Sequence, residues 1–216
     1  MPSFFTVVLV SYLVGAIPTS ILVGKILRGR DFDIRNEGSG NAGGTNVFRV
    51  LGWKPGLFVM LVDALKGFVA TLWIARWQPF GSPGINEIAL PIICGAVAVL
   101  GHIWTIFAGF RGGKGVGTAT GMIVALYPVA ALVCFGIFVV VVYLTRYISV
   151  GSITAAACLP LVLLLGEKLF RKTVALEMLI FSVVLTGIIF YTHRQNIRRL
   201  LAGTENRFGQ KRNANA

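Results

Sequence analysis

Runs of apolar residues long enough to cross a lipid bilayer fill most of this 216-residue chain. A span needs about 20 such residues at 1.5 Å rise each, with about 17 sufficing. Hydrocarbon offers no water to unpaired peptide groups, so the runs must be helices. They separate into segments near 3–27, 55–77, 86–107, 116–127, 129–145, 150–166 and 172–192. The apolar block 119–144 is too long for one simple span and carries Pro128, which opens a helix well and interrupts one badly; two short helices forming a hairpin fit it better. The expected fold class is all-α integral membrane with about seven transmembrane helices, two of them short. One transmembrane domain over 1–216 is expected, with 203–216 a mobile basic tail. The first run has no basic segment before it and no Ala-x-Ala site after it, so it is expected to stay as a membrane helix.

Charge gives the orientation. Only 13% of residues are charged, where a soluble domain carries about 25%. The net charge is nevertheless +12, from 20 Lys and Arg against 8 Asp and Glu. Nucleic acid is the first partner such a surplus suggests, but a chain this apolar must meet lipid, and basic inner loops explain the charge without it. With the N-terminus outside, the inner loops and tail hold fifteen basic residues: Lys25, Arg28, Arg30, Arg35, Arg49, Lys54, Arg111, Lys114, Arg146, Arg194, Arg198, Arg199, Arg207, Lys211 and Arg212. The outer loops hold four, Arg76, Lys168, Arg171 and Lys172. An outer N-terminus and a cytoplasmic C-terminus follow from the positive-inside rule. Two passes through 116–145 also put Ser149 and the tail after 192 in the same compartment as Lys114.

Two polar, glycine-rich stretches interrupt the apolar runs: Gly38-Ser39-Gly40-Asn41-Ala42-Gly43-Gly44-Thr45-Asn46 and Gly109-Phe110-Arg111-Gly112-Gly113-Lys114-Gly115-Val116-Gly117-Thr118. Glycine lets backbone N–H groups approach a ligand closely, and neighbouring Arg and Lys favour an anion. Phosphate held at the membrane edge is the natural reading; a flexible interfacial loop is the bland one. Gly38-x-Gly40-x-x-Gly43 is formally a dinucleotide fingerprint, with Asp63 twenty residues on, but no strand precedes it and no βαβ unit fits. A P-loop fails too, because position 108 is alanine and Gly115 replaces the Ser or Thr that would bind magnesium.

Around these stretches, Thr45, Asn46 and Arg49 could contact phosphoryl oxygens, Arg49 through two N–H bonds. Lys114 would add a compact positive charge among backbone donors; equally, Arg49 could only snorkel to lipid phosphate. His102 near a helix end reads first as a hydrogen-bonded structural residue. His193 and Asn196 share a helical face and form a polar pair that anchoring does not require. Ser149 could cap a helix or bind a ligand. Asp63 and Lys66, at i and i+3 inside a span, pair most economically with each other. Cys94, Cys134 and Cys158 lie in apolar runs with no metal or redox spacing, so no metal and no cofactor are expected.

In their order and positions, four of these motifs resemble the bacterial acyl-phosphate-dependent glycerol-3-phosphate acyltransferase family. They are Gly38-Ser39-Gly40-Asn41-x-Gly43-x-Thr45-Asn46-x-x-Arg49; Gly101-His102 with Phe107, Phe110 and Gly112-Gly113-Lys114-Gly115-Val116-x-Thr118; Ser149-x-Gly151-Ser152; and His193-Arg194-x-Asn196-Ile197-x-Arg199-Leu200-x-x-Gly203-x-Glu205. Ala42, Gly44, Gly117 and Trp104-Thr105 depart from the family pattern at positions that carry no chemistry. The resemblance implies acyl transfer from a fatty acyl phosphate to the 1-hydroxyl of glycerol 3-phosphate, giving lysophosphatidate and phosphate at the cytoplasmic face of the bacterial inner membrane. It implies that Ser39, Thr45, Asn46, Arg49, Gly112, Gly113, Lys114 and Gly115 hold the acyl phosphate. Ser149, His193 and Asn196 would hold glycerol 3-phosphate, with Arg49, Lys114, His193 and Asn196 serving catalysis and His102, Asp63 and Lys66 in support. The partners implied are these two substrates and membrane lipid, and the acyl chain would lie on apolar surface for which Phe107, Phe110, Phe135 and Phe138 are candidates. A transporter of phosphorylated metabolites is the rival class, disfavoured because no internal repeat is evident. A tethered soluble-type acyltransferase is disfavoured because neither histidine is followed five residues later by aspartate.

Overall fold

The structure, a computed structural model, describes residues 1–170 and 173–209. Arg171, Lys172, Lys211 and Arg212 of the charge count lie outside the described residues, as does 210–216 of the expected tail. Among the described residues there are ten α-helices and no strands: α1 Pro2–Ala16, α2 Thr19–Arg28, α3 Gly44–Leu51, α4 Trp53–Leu72, α5 Ala89–Ile103, α6 Val116–Leu126, α7 Pro128–Thr145, α8 Ile148–Phe170, α9 Leu176–Thr192 and α10 Arg194–Leu201. The chain divides into two compact units, Met1–Pro128 and Val129–Ala216. The boundary falls at the proline that splits the long apolar block.

All seven apolar segments are helical. By length and composition, five helices among the described residues could cross a membrane, six if α9 and α10, bent by 56° at His193, count as one broken span. α6, with 11 residues, is only about 16 Å long, well short of the bilayer's apolar core. The first segment is not one continuous helix. Pro18 has no N–H and drives Ile17 out of the helical region, to φ −55° and ψ 117°, so α1 and α2 meet at a break. Two helices arise outside the predicted spans, α3 from the end of the first glycine-rich stretch and α10 from the basic tail segment. Ser149, expected in a break between spans, instead lies in the first turn of α8.

Small residues set the packing of the first unit. A Cβ on Gly67 of α4 would stand 1.9 Å from the Thr118 carbonyl of α6, and one on Gly121 of α6 would stand 1.7 Å from the Ala64 carbonyl of α4. The same reciprocity joins α1 to α5 through Gly15 against Ala98 and Gly101 against Tyr12. Without a hydrophobic drive between helices in lipid, such backbone-to-backbone contact is how spans gain dispersion energy. Val7, Ala70, Leu90, Cys94 and Ala98 form one buried cluster, and Ile21, Ile34, Ala42, Val47 and Val59 form another beneath the first glycine-rich stretch. In the second unit Gly151 of α8 packs on Phe138 and Val142 of α7, and α8 packs along α9.

Candidate active site

The first glycine-rich stretch is organised around Asn46, which is 1% exposed. Its Oδ1 accepts the Ser39 N–H at 2.8 Å and the Ser39 hydroxyl at 3.1 Å, while its Nδ2 donates to the Ile34 and Glu37 carbonyls, both at 2.9 Å. The amide thereby holds the turn over 34–39 from inside. Asn46, expected on the acyl phosphate, is thus also part of the loop's framework. Gly38, at φ +59°, is required here, since a Cβ would come within 2.3 Å of Asn46 Oδ1.

Both glycine-rich stretches run into helix N-termini, where unpaired N–H groups and the helix dipole favour an anion. Gly43 precedes α3, and Gly115, left-handed at φ +85°, precedes α6. Thr45 and Arg49, in the first and last turns of α3, and Lys114, beside the start of α6, are all half-buried. Arg35, just before the first stretch, fastens that region to the start of the second: it pairs with Asp33 at 2.6 Å and donates to the Ala108 and Arg111 carbonyls at 2.9 and 3.3 Å. Hydrogen bonding to Arg35 holds the Asp33 carboxyl below its ordinary range despite some burial. Gly113 lies against Ala42, whose carbonyl a Cβ would meet at 2.9 Å. The two stretches thus lie against each other, with Arg49 on the helix that follows the first and Lys114 within the second.

In the second unit the polar cluster centres on Glu205, whose carboxylate is almost wholly buried. Its Oε1 accepts from Ser149 Oγ at 3.0 Å and from Asn196 Nδ2 at 2.6 Å, and its Oε2 accepts from Arg199 Nε at 2.8 Å. Burial pushes this carboxyl up, but the hydrogen bonds from Arg199 and Asn196, the Arg199 charge and the Ser149 hydroxyl together bring it below its ordinary value. His193 is also buried, its Nδ1 lying 2.8 Å from the Ile189 carbonyl. A carbonyl only accepts, so Nδ1 carries the proton in this contact. Of the tail expected to be mobile from 203, the described residues 203–209 are tied down through Glu205 and through Phe208 N–H on the Arg146 carbonyl at 2.7 Å.

Residues 5–203 match the family model described as glycerol-3-phosphate acyltransferase. The chain belongs to the glycerol-3-phosphate acyltransferase family. Among its acyltransferase relatives, one from Chlorobium phaeobacteroides is 49% identical, covering 96% of this chain and 97% of the relative. Another, from Chlorobaculum parvum, is 46% identical, covering 98% of this chain and 100% of the relative. The fold matches the crystal structure of PlsY, an integral membrane glycerol 3-phosphate acyltransferase, in its glycerol 3-phosphate form, with TM-score 0.83, 37% identity and 96% of each chain covered. The lysophosphatidic acid form of PlsY matches with TM-score 0.80 at the same identity and coverage. The protein is accordingly an all-α integral membrane protein.

Within this acyltransferase framework the sequence assigns no role to Glu205, yet it gathers Ser149, Asn196 and Arg199. A signal was available: Glu205 is the one carboxylate after Glu177, in a strongly basic stretch. Ser149 and Asn196, expected on glycerol 3-phosphate, each give one donor to that carboxylate.

Proposed function

We propose that the protein transfers the acyl group of a fatty acyl phosphate to the 1-hydroxyl of sn-glycerol 3-phosphate, releasing lysophosphatidate and inorganic phosphate, the first acylation of phospholipid synthesis. Family membership over residues 5–203 carries this reading. The two helix N-termini that follow the glycine-rich stretches support it, since their dipoles, with Arg49 and Lys114 nearby, suit a departing phosphate. On this reading Ser39, Thr45, Arg49, Lys114 and the Gly112–Gly115 backbone hold the acyl phosphate, with Asn46 shaping the loop. Ser149, His193 and Asn196 serve glycerol 3-phosphate, and Glu205 orients Ser149 and Asn196. His193, its ring oriented by the Ile189 carbonyl, suits a substrate hydroxyl.

An acyl phosphate is a mixed anhydride with a good leaving group, so a serine nucleophile and its base are unnecessary. The 1-hydroxyl oxygen bonds to the carbonyl carbon, the bond from carbon to the phosphate oxygen breaks, and the hydroxyl proton passes to a phosphate oxygen. Basic side chains offset the repulsion of two anionic substrates and orient them. The charge bias supports an outer N-terminus, a cytoplasmic C-terminus and chemistry on the cytoplasmic side of the bacterial inner membrane.

The test is lysophosphatidate formation, with the phosphate or thiol released alongside it, by purified protein offered acyl phosphate, acyl-CoA or acylated acyl carrier protein. Release from acyl phosphate alone, dependent on glycerol 3-phosphate, is expected; turnover with only a thioester donor would overturn the reading. For His193→Ala, a modest fall in kcat with a raised KM for glycerol 3-phosphate is expected. A loss of about six decades in kcat, the scale seen when a catalytic triad member is removed, would make His193 the base.

A further inference from the structure

Three ionisable side chains are buried in the first unit and take no part in the chemistry above: Asp63 and Lys66 of α4, each 4% exposed, and His102 of α5, 8% exposed. Charges at membrane depth are expensive, and a buried pair stabilises no better than well-packed apolar side chains of the same volume. Their placement therefore needs an explanation beyond mutual pairing.

The chain of contacts runs in one direction. Lys66 Nζ lies 2.6 Å from Asp63 Oδ1 and donates to the Ile17 carbonyl at 2.7 Å, a group at the break between α1 and α2. That carbonyl is fixed further by Thr19 N–H at 2.9 Å, and Thr105 Oγ1 donates to the neighbouring Ala16 carbonyl. Asp63 Oδ1 faces His102 Nδ1 at 3.7 Å. Beyond it, His102 meets the second glycine-rich stretch twice. Its carbonyl accepts the Gly113 N–H at 3.1 Å, next to Ile103, whose carbonyl accepts the Gly112 N–H at 3.0 Å. Its ring supports Gly113 so closely that a Cβ there would stand 2.2 Å from Nε2. A small pocket lined by Thr19, Asp63, His102, Gly112 and Gly113 joins the ion pair to the back of the loop.

We propose that Lys66, Asp63 and His102 are positioning residues that hold the Gly112–Gly113 backbone, and with it Lys114, where a phosphate is received. Lys66 clamps the carboxylate to the broken first span, the carboxylate orients the imidazole, and the imidazole sets the height of Gly113. The inference rests on the assignment of this loop to a phosphate. The α5 carbonyls at the loop are the terminal ones that no intrahelical N–H can reach, so the loop is an added layer on the helix end and moves with whatever moves His102.

The experiment compares full-length Lys114→Ala, Asp63→Asn, His102→Gln and the double variant Asp63→Asn/Lys66→Met, reading kcat, the KM of each substrate and the thermal midpoint. Lys114→Ala marks the kinetic constant that reports on the loop, expected to be the KM for acyl phosphate. Asp63→Asn and His102→Gln should raise that same KM about tenfold, short of the hundredfold that a misplacement of about 1 Å costs, and leave the other KM within about twofold. The double variant, with no unpaired buried charge, should recover the thermal midpoint while its KM stays raised. Recovery of both, an unchanged KM, or a joint rise of both KM values in step with a fallen midpoint would overturn the proposal. Should Lys114→Ala shift the KM for glycerol 3-phosphate instead, the assignment of the loop to acyl phosphate fails. The positioning role then stands only if Asp63→Asn shifts that constant too.

Discussion

Replacing Asn46 by alanine removes four hydrogen bonds at once: two accepted from Ser39 and two donated to Ile34 and Glu37. At about 1 kcal/mol net each, their loss sets a ceiling of about 4 kcal/mol. Ser39 is half-buried and Glu37 exposed, so water can replace part of the loss there; Ile34 is fully buried. A destabilisation of about 2–3 kcal/mol is expected, equivalent to a fall of roughly 4–12 °C in Tm for a chain of this length. Asn46→Asp should be worse, because a carboxylate oxygen would replace the donor facing two carbonyls and add negative charge beside an anion site. Thermal unfolding of the purified protein without substrate, alongside the KM for acyl phosphate, checks both. An Asn46→Ala protein as stable as the parent, with only its KM raised, would show the amide to be a ligand and refute the framework role.

Three further outcomes follow from the same geometry. Because Glu205 holds its proton less readily folded than unfolded, its stabilisation is complete above the ordinary carboxylate value of 4.5 and disappears as pH falls through the lower folded value. Tm measured from pH 7 towards 3 should fall on that limb for the parent and be flatter for Glu205→Gln; parallel curves would contradict it. Gly113→Ala should cut kcat/KM by about 10²-fold, because the added methyl meets the His102 ring and the Ala42 carbonyl and must displace the loop, which initial-rate kinetics will read. Gly121→Val should cost about 1–3 kcal/mol or more as overpacking against the Ala64 carbonyl, measured as lost thermal stability, with no selective change in either KM.

What hydropathy can register was legible in the sequence. The seven apolar segments, the break at Pro128 and the two glycine-rich stretches needed only composition and a rule about proline. Elements shorter than a span were not. α3 has eight residues between glycines, below the length at which an isolated helix is even marginal, and exists because Val47 is buried and Gly56 of α4 lets Phe48 pack directly against it. The framework role of Asn46 was equally invisible, and Glu205 was marked only as a lone carboxylate in a basic stretch. A buried amide or carboxylate is defined by its partners, which lie up to 56 residues away in the case of Ser149, and residue type alone does not tell a group that grips a ligand from one that grips its own chain.

The reciprocal glycine contacts decide where a fatty tail can go. With α4 and α6 touching at their main chains around Gly67 and Gly121, no hydrocarbon can thread between these two rods. On the proposed reaction, a donor's tail therefore lies outside that seam.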